Sequence, residues 1–208
     1  SVKVNPMTKI TGPKVKKRLP VYVPGRDMEY LDDILKTEPD NWENYRAYVI
    51  IMLFYETGIR LSELIHLKSE DVAENQIKVL GKRNKERIIP LRPGMYDMIE
   101  KYKAKKALVL NDQKTTYFLT KKNGTKLYEK LVYRIVNNYL SKATGIEKRS
   151  PHVLRHTFAT HMLNSGADLN ALKEILGHAN LSATQVYTHN SLTQLKNIYK
   201  TAHPRGDV

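Results

Sequence analysis

Apolar side chains recur at helical spacing in the first third of the chain. From about Gly25 the apolar positions lie three and four apart, which predicts a short amphipathic helix. A longer helix is predicted over residues 41–56, where the apolar side chains are nearly continuous and Gly58 provides a C-terminal stop. A third helix is predicted to start near Arg60. This part of the chain is therefore expected to form a helical core.

The apolar period changes to two after Asp71. Residues 76–80 and 87–91 are two short runs rich in isoleucine, valine and leucine, and a strongly basic turn joins them, which predicts an antiparallel β-hairpin. Residues 117–127 predict a smaller strand-turn-strand element around Gly124.

The remaining apolar periodicity is helical again. Ser150 before a proline marks the start of one of these helices. The predicted helices cover residues 93–106, 127–143, 151–164, 169–176, 181–187 and 192–202. We therefore expect a mainly α fold of the α+β kind, with a small antiparallel sheet.

Composition narrows the choice of partner. The 208 residues include 35 lysines and arginines against 21 acids, a net charge of +14, which favours a nucleic acid over a basic protein without a specific ligand. The absence of cysteine excludes disulfides, thiolate metal sites and a cysteine nucleophile. With no long apolar run or signal peptide, we expect a cytoplasmic protein without a membrane partner.

The first 20 residues differ from the rest. They carry six basic side chains, three prolines and no acid, which predicts an extended basic linker over residues 1–20 and one folded domain over residues 21–208. Because the chain does not begin with methionine, we expect a fragment that has lost an N-terminal partner domain.

Two arginines and a histidine suggest an anion site. His152 and Arg155 lie three apart near a predicted helix start, so their side chains share a face. Arg60 follows the end of a buried helix and could supply a second guanidinium to the same phosphate. Glu63 could brace Arg60 or form an ordinary surface ion pair with it. Each residue alone is equally compatible with a solvated surface.

Five segments together resemble the catalytic signature of the tyrosine recombinases, the lambda-integrase and Xer-type DNA recombinases. They are Thr-Gly-Ile-Arg-Leu-Ser-Glu-Leu around Arg60, Gly-Lys-x-x-Lys-Glu-Arg from residue 81, Ser-Pro-His-Val-Leu-Arg-His-Thr-Phe from residue 150, Leu-Gly-His-Ala-Asn-Leu around His178, and Val-Tyr-Thr-His around Tyr187. The resemblance implies a DNA breaking-rejoining fold for residues 21–208, preceded in the family by a small helical DNA-binding domain.

The resemblance also implies a role for each matched residue. Tyr187, one of thirteen tyrosines, would attack a phosphodiester and form a covalent 3′-phosphotyrosine. Arg60, Arg155 and His178 would stabilise the developing charge. His152 would accept the tyrosine proton and Lys82 would protonate the leaving oxygen. Arg83, Lys85 and Arg87 are expected to contact the DNA backbone, a role that Lys82 could also have.

Neither a cofactor nor a metal is expected. A phosphotyrosine keeps the energy of the broken bond, and the chain has no phosphate-binding loop or dinucleotide fingerprint. The histidines at 152, 156 and 161 lack the His-Glu-x-x-His pattern of a zinc site, and His156, Thr157 and Phe158 are better explained as packing and supporting residues.

The resemblance therefore implies a site-specific recombinase that acts on double-stranded DNA as a tetramer assembled on the DNA. Residues 192–203 are expected to dock on a neighbouring subunit or, equally, on their own domain. Two alternatives remain open: a type IB topoisomerase that relaxes DNA as a monomer, and a DNA-binding regulator without cleavage activity.

Overall fold

A computed structural model describes residues 21–81, 86–177 and 201–202. The described part contains seven α-helices and one sheet of three strands. In chain order they are α1 (Gly25–Thr37), α2 (Trp42–Thr57), α3 (Leu61–His66), β1 (Val72–Ala73), β2 (Gln76–Leu80), β3 (Glu86–Pro90), α4 (Pro93–Val109), α5 (Glu129–Ala143), α6 (Pro151–Asn164) and α7 (Leu169–Leu176). The predicted mainly helical fold with a small antiparallel sheet is confirmed.

Helix α2 lies at the centre of the core. Its apolar residues from Tyr48 to Tyr55 are all buried, and it packs against α1, α4, α5 and α6. Asn41 caps the helix by accepting a hydrogen bond of 3.0 Å from the backbone N–H of Asn44. A helix buried on all sides needs apolar side chains around its whole circumference, which explains the nearly continuous apolar run in the sequence.

The predicted β-hairpin is present. Strands β2 and β3 pair antiparallel with Ile77 opposite Ile89, and both of these side chains are fully buried. The short strand β1, which the sequence pattern did not reveal, adds to the outer edge of β2. Four residues of the hairpin turn, 82–85, lie outside the described part of the chain.

Most predicted helix boundaries are close to the observed ones. Helices α6 and α7 have the predicted limits, whereas α4 continues to Val109 and α5 begins at Glu129. The predicted strand-turn-strand element around Gly124 is present as one antiparallel bridge between Thr120 and Lys126, whereas Tyr117 pairs with Lys68. The helix predicted over residues 181–187 lies outside the described residues. So do residues 192–200 of the helix predicted over 192–202.

Gly58 ends α2 and directs the chain toward Arg60. Its backbone is left-handed, with φ of 59°, and its N–H bonds to the carbonyl of Phe54. A Cβ atom at this position would lie 2.5 Å from Cδ1 of Phe158 and 2.9 Å from Cδ2 of Leu176. Glycine is therefore required here for both its conformation and its size.

We expect Gly58→Ala to lower the free energy of unfolding by about 2–5 kcal/mol, because a left-handed alanine and a steric clash both act against the folded state. Gly166→Ala tests the conformational part alone, since Gly166 has φ of 87° and nothing within 4 Å of an added Cβ. Gly145→Ala is the control for the effect of an added methyl group alone, because an added Cβ there has nothing within 4 Å and the backbone is not left-handed. Chemical denaturation of the three variants measures the differences. Equal losses at Gly58 and Gly166 would contradict the clash.

No described helix is both long and apolar enough to cross a membrane.

Candidate active site

Arg60 is held at the start of α3 by Glu63. Its Nη1 donates to Oε1 of Glu63 at 2.7 Å, and its backbone N–H donates to Oε2 of the same carboxylate at 2.8 Å. Its Nη2 donates to the carbonyl of Gly177 at 2.6 Å. The side chain of Arg60 remains 24% exposed, whereas that of Glu63 is 2% exposed. Glu63 therefore braces the guanidinium from the protein side and leaves its outer side open to solvent.

Arg155 approaches the same place from α6. Its two terminal nitrogens donate to the carbonyls of Gly58 and Leu176, the latter at 2.8 Å. Burial, together with the positive charges of Arg60 and Arg87, lowers the pKa of Arg155 to about 10. Since this pKa is still well above neutral, Arg155 carries its charge at physiological pH.

Arg87 is placed differently from the sequence expectation. Its side chain is 6% exposed, and both terminal nitrogens bond to the carboxylate of Glu63. Its Nε donates to the carbonyl of Ile175 at 3.0 Å. The expected role in contacting the DNA backbone does not fit this position, because a guanidinium enclosed by protein cannot reach an external phosphate.

Glu63 stays ionised at the centre of this network. Burial alone would raise the pKa of Glu63, but the hydrogen bonds and charge of Arg87, together with the hydrogen bonds of Arg60, bring the pKa below its ordinary value. The three guanidiniums of Arg60, Arg87 and Arg155 and the one carboxylate leave a net charge of +2 in this cluster. The excess positive charge favours an anionic ligand.

The three arginines meet at the C-terminus of α7. Arg87, Arg155 and Arg60 donate to three consecutive carbonyls, those of Ile175, Leu176 and Gly177. These are among the carbonyls that a helix leaves without an internal partner at its end. In the sequence His178 follows directly, so the cluster anchors the point from which the chain continues toward His178 and Tyr187.

Gly177 allows this close approach. It has a left-handed backbone with φ of 66°, and a Cβ would lie 3.1 Å from Cδ of Arg87 and 3.2 Å from Nη1 of Arg60. The described hydrogen bonds use two of the five N–H donors of Arg60 and two of the five of Arg155. Within the described residues no further hydrogen bond uses the other donors of these two guanidiniums, so together they can hold a phosphate.

The other residues singled out in the sequence fall in three groups. His152 is exposed at the second position of α6, one turn before Arg155. Thr157 and Phe158 are buried, and the hydroxyl of Thr157 accepts a hydrogen bond of 2.9 Å from the backbone N–H of Val23. Five residues of the predicted site lie outside the described part of the chain: Lys82, Arg83, Lys85, His178 and Tyr187.

His161 is a core residue. It is buried, with Nδ1 at 3.1 Å from the hydroxyl of Tyr55, and burial lowers its pKa. Within the described ranges, no three histidine, aspartate or glutamate side chains lie in an arrangement that could hold a metal ion. Packing against Tyr55 therefore explains His161.

A basic groove on α5 was missed by the sequence analysis. It has a volume of about 500 Å³ and is lined by Lys130, Tyr133, Arg134, Asn137, Asn138, Ser141 and Arg149. Its signal in the sequence is the spacing of basic and amide side chains along one helical face, which is common on any solvated helix. Arg149, from the loop after α5, contributes to the lining.

Comparison with known proteins assigns the family. Residues 25–194 match the sequence model of the phage integrase family. Tyrosine recombinase XerC of Staphylococcus epidermidis is 42% identical over 208 residues, which cover 98% of this chain and 68% of that protein. XerC of Staphylococcus carnosus is also 42% identical, with the same coverage.

Solved structures agree with this assignment. The crystal structure of XerA recombinase is 30% identical with a TM-score of 0.67, over 88% of this chain and 66% of that one. The structure of XerH site-specific recombinase bound to palindromic difH substrate, in a post-cleavage complex, is 27% identical with a TM-score of 0.70, over 86% of this chain and 52% of that one. This chain therefore belongs to the phage integrase family, as a tyrosine recombinase of the Xer type.

Proposed function

We propose that this chain carries the catalytic centre of a site-specific DNA recombinase, in which Tyr187 attacks a phosphodiester and becomes covalently joined to the 3′-phosphate. The observation that carries this proposal is the convergence of Arg60 and Arg155 on consecutive carbonyls at the end of α7. Two fixed guanidiniums with open donors can bind both non-bridging oxygens of one phosphate. The chain then continues to the proposed nucleophile.

Charge stabilisation is the first requirement of this reaction. Attack on a phosphodiester places additional negative charge on the equatorial oxygens, and arginine suits this task because its planar fork donates at two points and stays charged. Arg60 and Arg155 are already held in place by protein groups, so little reorganisation is needed when the phosphate binds. His178 is proposed as a further donor to the same oxygens.

Proton transfer is the second requirement. A phenol is a weak nucleophile at neutral pH and a deoxyribose 5′-oxygen is a poor leaving group, so both need help. We assign His152 to accept the proton of Tyr187 and Lys82 to protonate the leaving 5′-oxygen. The phosphotyrosine bond preserves the energy of the phosphodiester, and attack by a free 5′-hydroxyl rejoins the strand without a nucleotide cofactor.

Double-stranded DNA is the proposed substrate, consistent with the net charge of +14 and with the DNA complex of XerH. We propose that the basic groove on α5 contacts the DNA backbone, together with Arg83 and Lys85. Residues 192–203 are proposed to dock on a neighbouring subunit in a DNA-bound tetramer, and residues 1–20 to link this domain to an N-terminal DNA-binding domain. We also propose a cytoplasmic location.

Covalent trapping tests the proposal. The protein is incubated at low salt with end-labelled duplexes drawn from the DNA that surrounds its own gene, each with a nick beside one candidate site. The short cleaved fragment then dissociates and religation is blocked. We expect a denaturant-resistant adduct at the 3′-phosphate end of the upstream fragment and a free 5′-hydroxyl on the downstream fragment. Relaxation of any supercoiled plasmid without site preference would support a type IB topoisomerase instead. Salt-sensitive binding with no adduct at any site would support a non-catalytic regulator.

A further inference from the structure

Arg87 belongs to the charged cluster but cannot belong to the phosphate-binding surface. Its side chain is 6% exposed, compared with 24% for Arg60, and its guanidinium faces Glu63 and the end of α7. A buried guanidinium is costly unless all its surroundings compensate it. Its presence at this point therefore calls for a role in the arrangement of its neighbours.

The first neighbour is Glu63. Arg87 bonds to both carboxylate oxygens, the second through Nη2 at 2.8 Å, and the same two oxygens accept from Arg60. Without Arg87 the carboxylate would form a closed pair with Arg60 and cancel its charge. With Arg87 present, Glu63 is shared by two cations, so it fixes the direction of Arg60 while the pair of arginines keeps a net positive charge.

The second neighbour is the C-terminus of α7. Nε of Arg87 donates to the carbonyl of Ile175 at 3.0 Å, one residue before the carbonyl that Arg155 holds and two before the one that Arg60 holds. The guanidinium of Arg87 thus connects Glu63, which holds Arg60, to the end of α7, which His178 follows in the sequence. The two functional elements cannot shift independently while this bridge is intact.

From this geometry we infer that Arg87 is a positioning residue for strand cleavage, which fixes Arg60 through Glu63 and fixes the end of α7 through the carbonyl of Ile175. The inference rests on the proposed function, since it assigns Arg60 to the scissile phosphate. Arg87 does not touch the phosphate. It sets the distance and orientation at which two other groups meet it.

Arg87→Lys is the direct test. A lysine keeps the charge but cannot span two carboxylate oxygens and a carbonyl with one fixed fork. At saturating protein on the nicked duplex, we expect the rate constant for adduct formation to fall roughly 100-fold, the effect of a misplacement of about 1 Å, with DNA affinity retained. A rate equal to that of the wild type would overturn the inference while leaving the proposed function in place.

Arg92→Lys is the matched control. Arg92 forms another two-point pair, with a buried glutamate: it donates to Glu56 at 2.8 and 2.7 Å and joins α4 to α2. Both substitutions are expected to lower the melting temperature. If Arg87 served stability alone, the two variants would cleave equally well at a temperature at which both are folded, and that result would refute the positioning role.

The ratio of two cleavage rates measured on the same protein preparation does not depend on how much of that protein is folded. Cleavage of the ordinary phosphodiester is compared with cleavage of a substrate whose scissile phosphate is a neutral methylphosphonate. Correctly placed guanidiniums favour the charged phosphodiester over the neutral methylphosphonate. We therefore expect the ratio of the phosphodiester rate to the methylphosphonate rate to fall about tenfold in Arg87→Lys, which corresponds to the loss of one charge-assisted hydrogen bond. In Arg92→Lys the ratio should keep the wild-type value. An unchanged ratio in Arg87→Lys would overturn the inference. Absence of any wild-type adduct would overturn it together with the proposed function.

Discussion

Tyr187→Phe is expected to abolish the covalent adduct, with a loss of roughly 10⁶-fold that takes cleavage below detection. The phenyl ring keeps the size and most of the packing of tyrosine but has no oxygen to attack phosphorus. DNA affinity should be unchanged, because the positive groups that bind the backbone remain. The measurement is denaturing electrophoresis of end-labelled nicked duplex after incubation, alongside a binding assay at the same salt concentration.

Tyr30→Phe is a suitable control, since Tyr30 lies on α1 and is 56% exposed. It removes a phenol from the same chain and should leave the adduct yield unaltered. A labelled adduct that persists in Tyr187→Phe would show that another residue is the nucleophile. Peptide mapping of the wild-type adduct would then identify it among the other twelve tyrosines and the remaining hydroxyl side chains.

Arg155→Lys is expected to slow cleavage by roughly 10³- to 10⁵-fold, the range found where an arginine stabilises a phosphoryl-transfer transition state. Lysine is a point charge without the planar fork, so it cannot hold the carbonyls of Gly58 and Leu176 and a phosphate oxygen in one plane. Because the pKa of Arg155 is lowered only to about 10, its charge is present throughout the neutral range. Single-turnover rates at saturating protein measure the loss.

The same substitution at Arg26, an exposed arginine of α1, should leave the rate near that of the wild type. A melting curve for each variant separates loss of fold from loss of cleavage, since Arg155 also ties α6 to the ends of α2 and α7. A folded Arg155→Lys protein with a wild-type rate would show that Arg155 serves the fold and does not contact the scissile phosphate.

Local patterns were sufficient for most of the secondary structure. The limits of α6 and α7 follow from apolar spacing with a proline at one start and a glycine at one end, and the hairpin of β2 and β3 follows from two short apolar runs around a basic turn. Strand β1 escaped prediction because two residues are too few to establish a period. These elements depend on neighbours in the chain, so their signals lie within a short window of sequence.

The family motifs also pointed to Arg60 and Arg155, but the sequence left the role of Glu63 open and assigned Arg87 to the DNA surface. Glu63 is three residues from Arg60, and that spacing is the same in a surface ion pair and in a buried brace. What distinguishes them is the arrival of Arg87 from β3, 24 residues further along the chain. Because Arg87 is buried, it supports neighbouring side chains inside the protein and does not contact DNA, although it lies beside a basic turn.

The sequence by itself determined the helices, the hairpin, the positive charge and the family, because these depend on composition and local order. Only the tertiary structure decided that Arg60, Arg87 and Arg155, from three separate elements, each hold one of three consecutive carbonyls at the end of α7. Such a junction depends on which faces α3, β3, α6 and α7 present to one another after packing. No short stretch of sequence encodes that geometry, since its contacts span up to 117 positions along the chain.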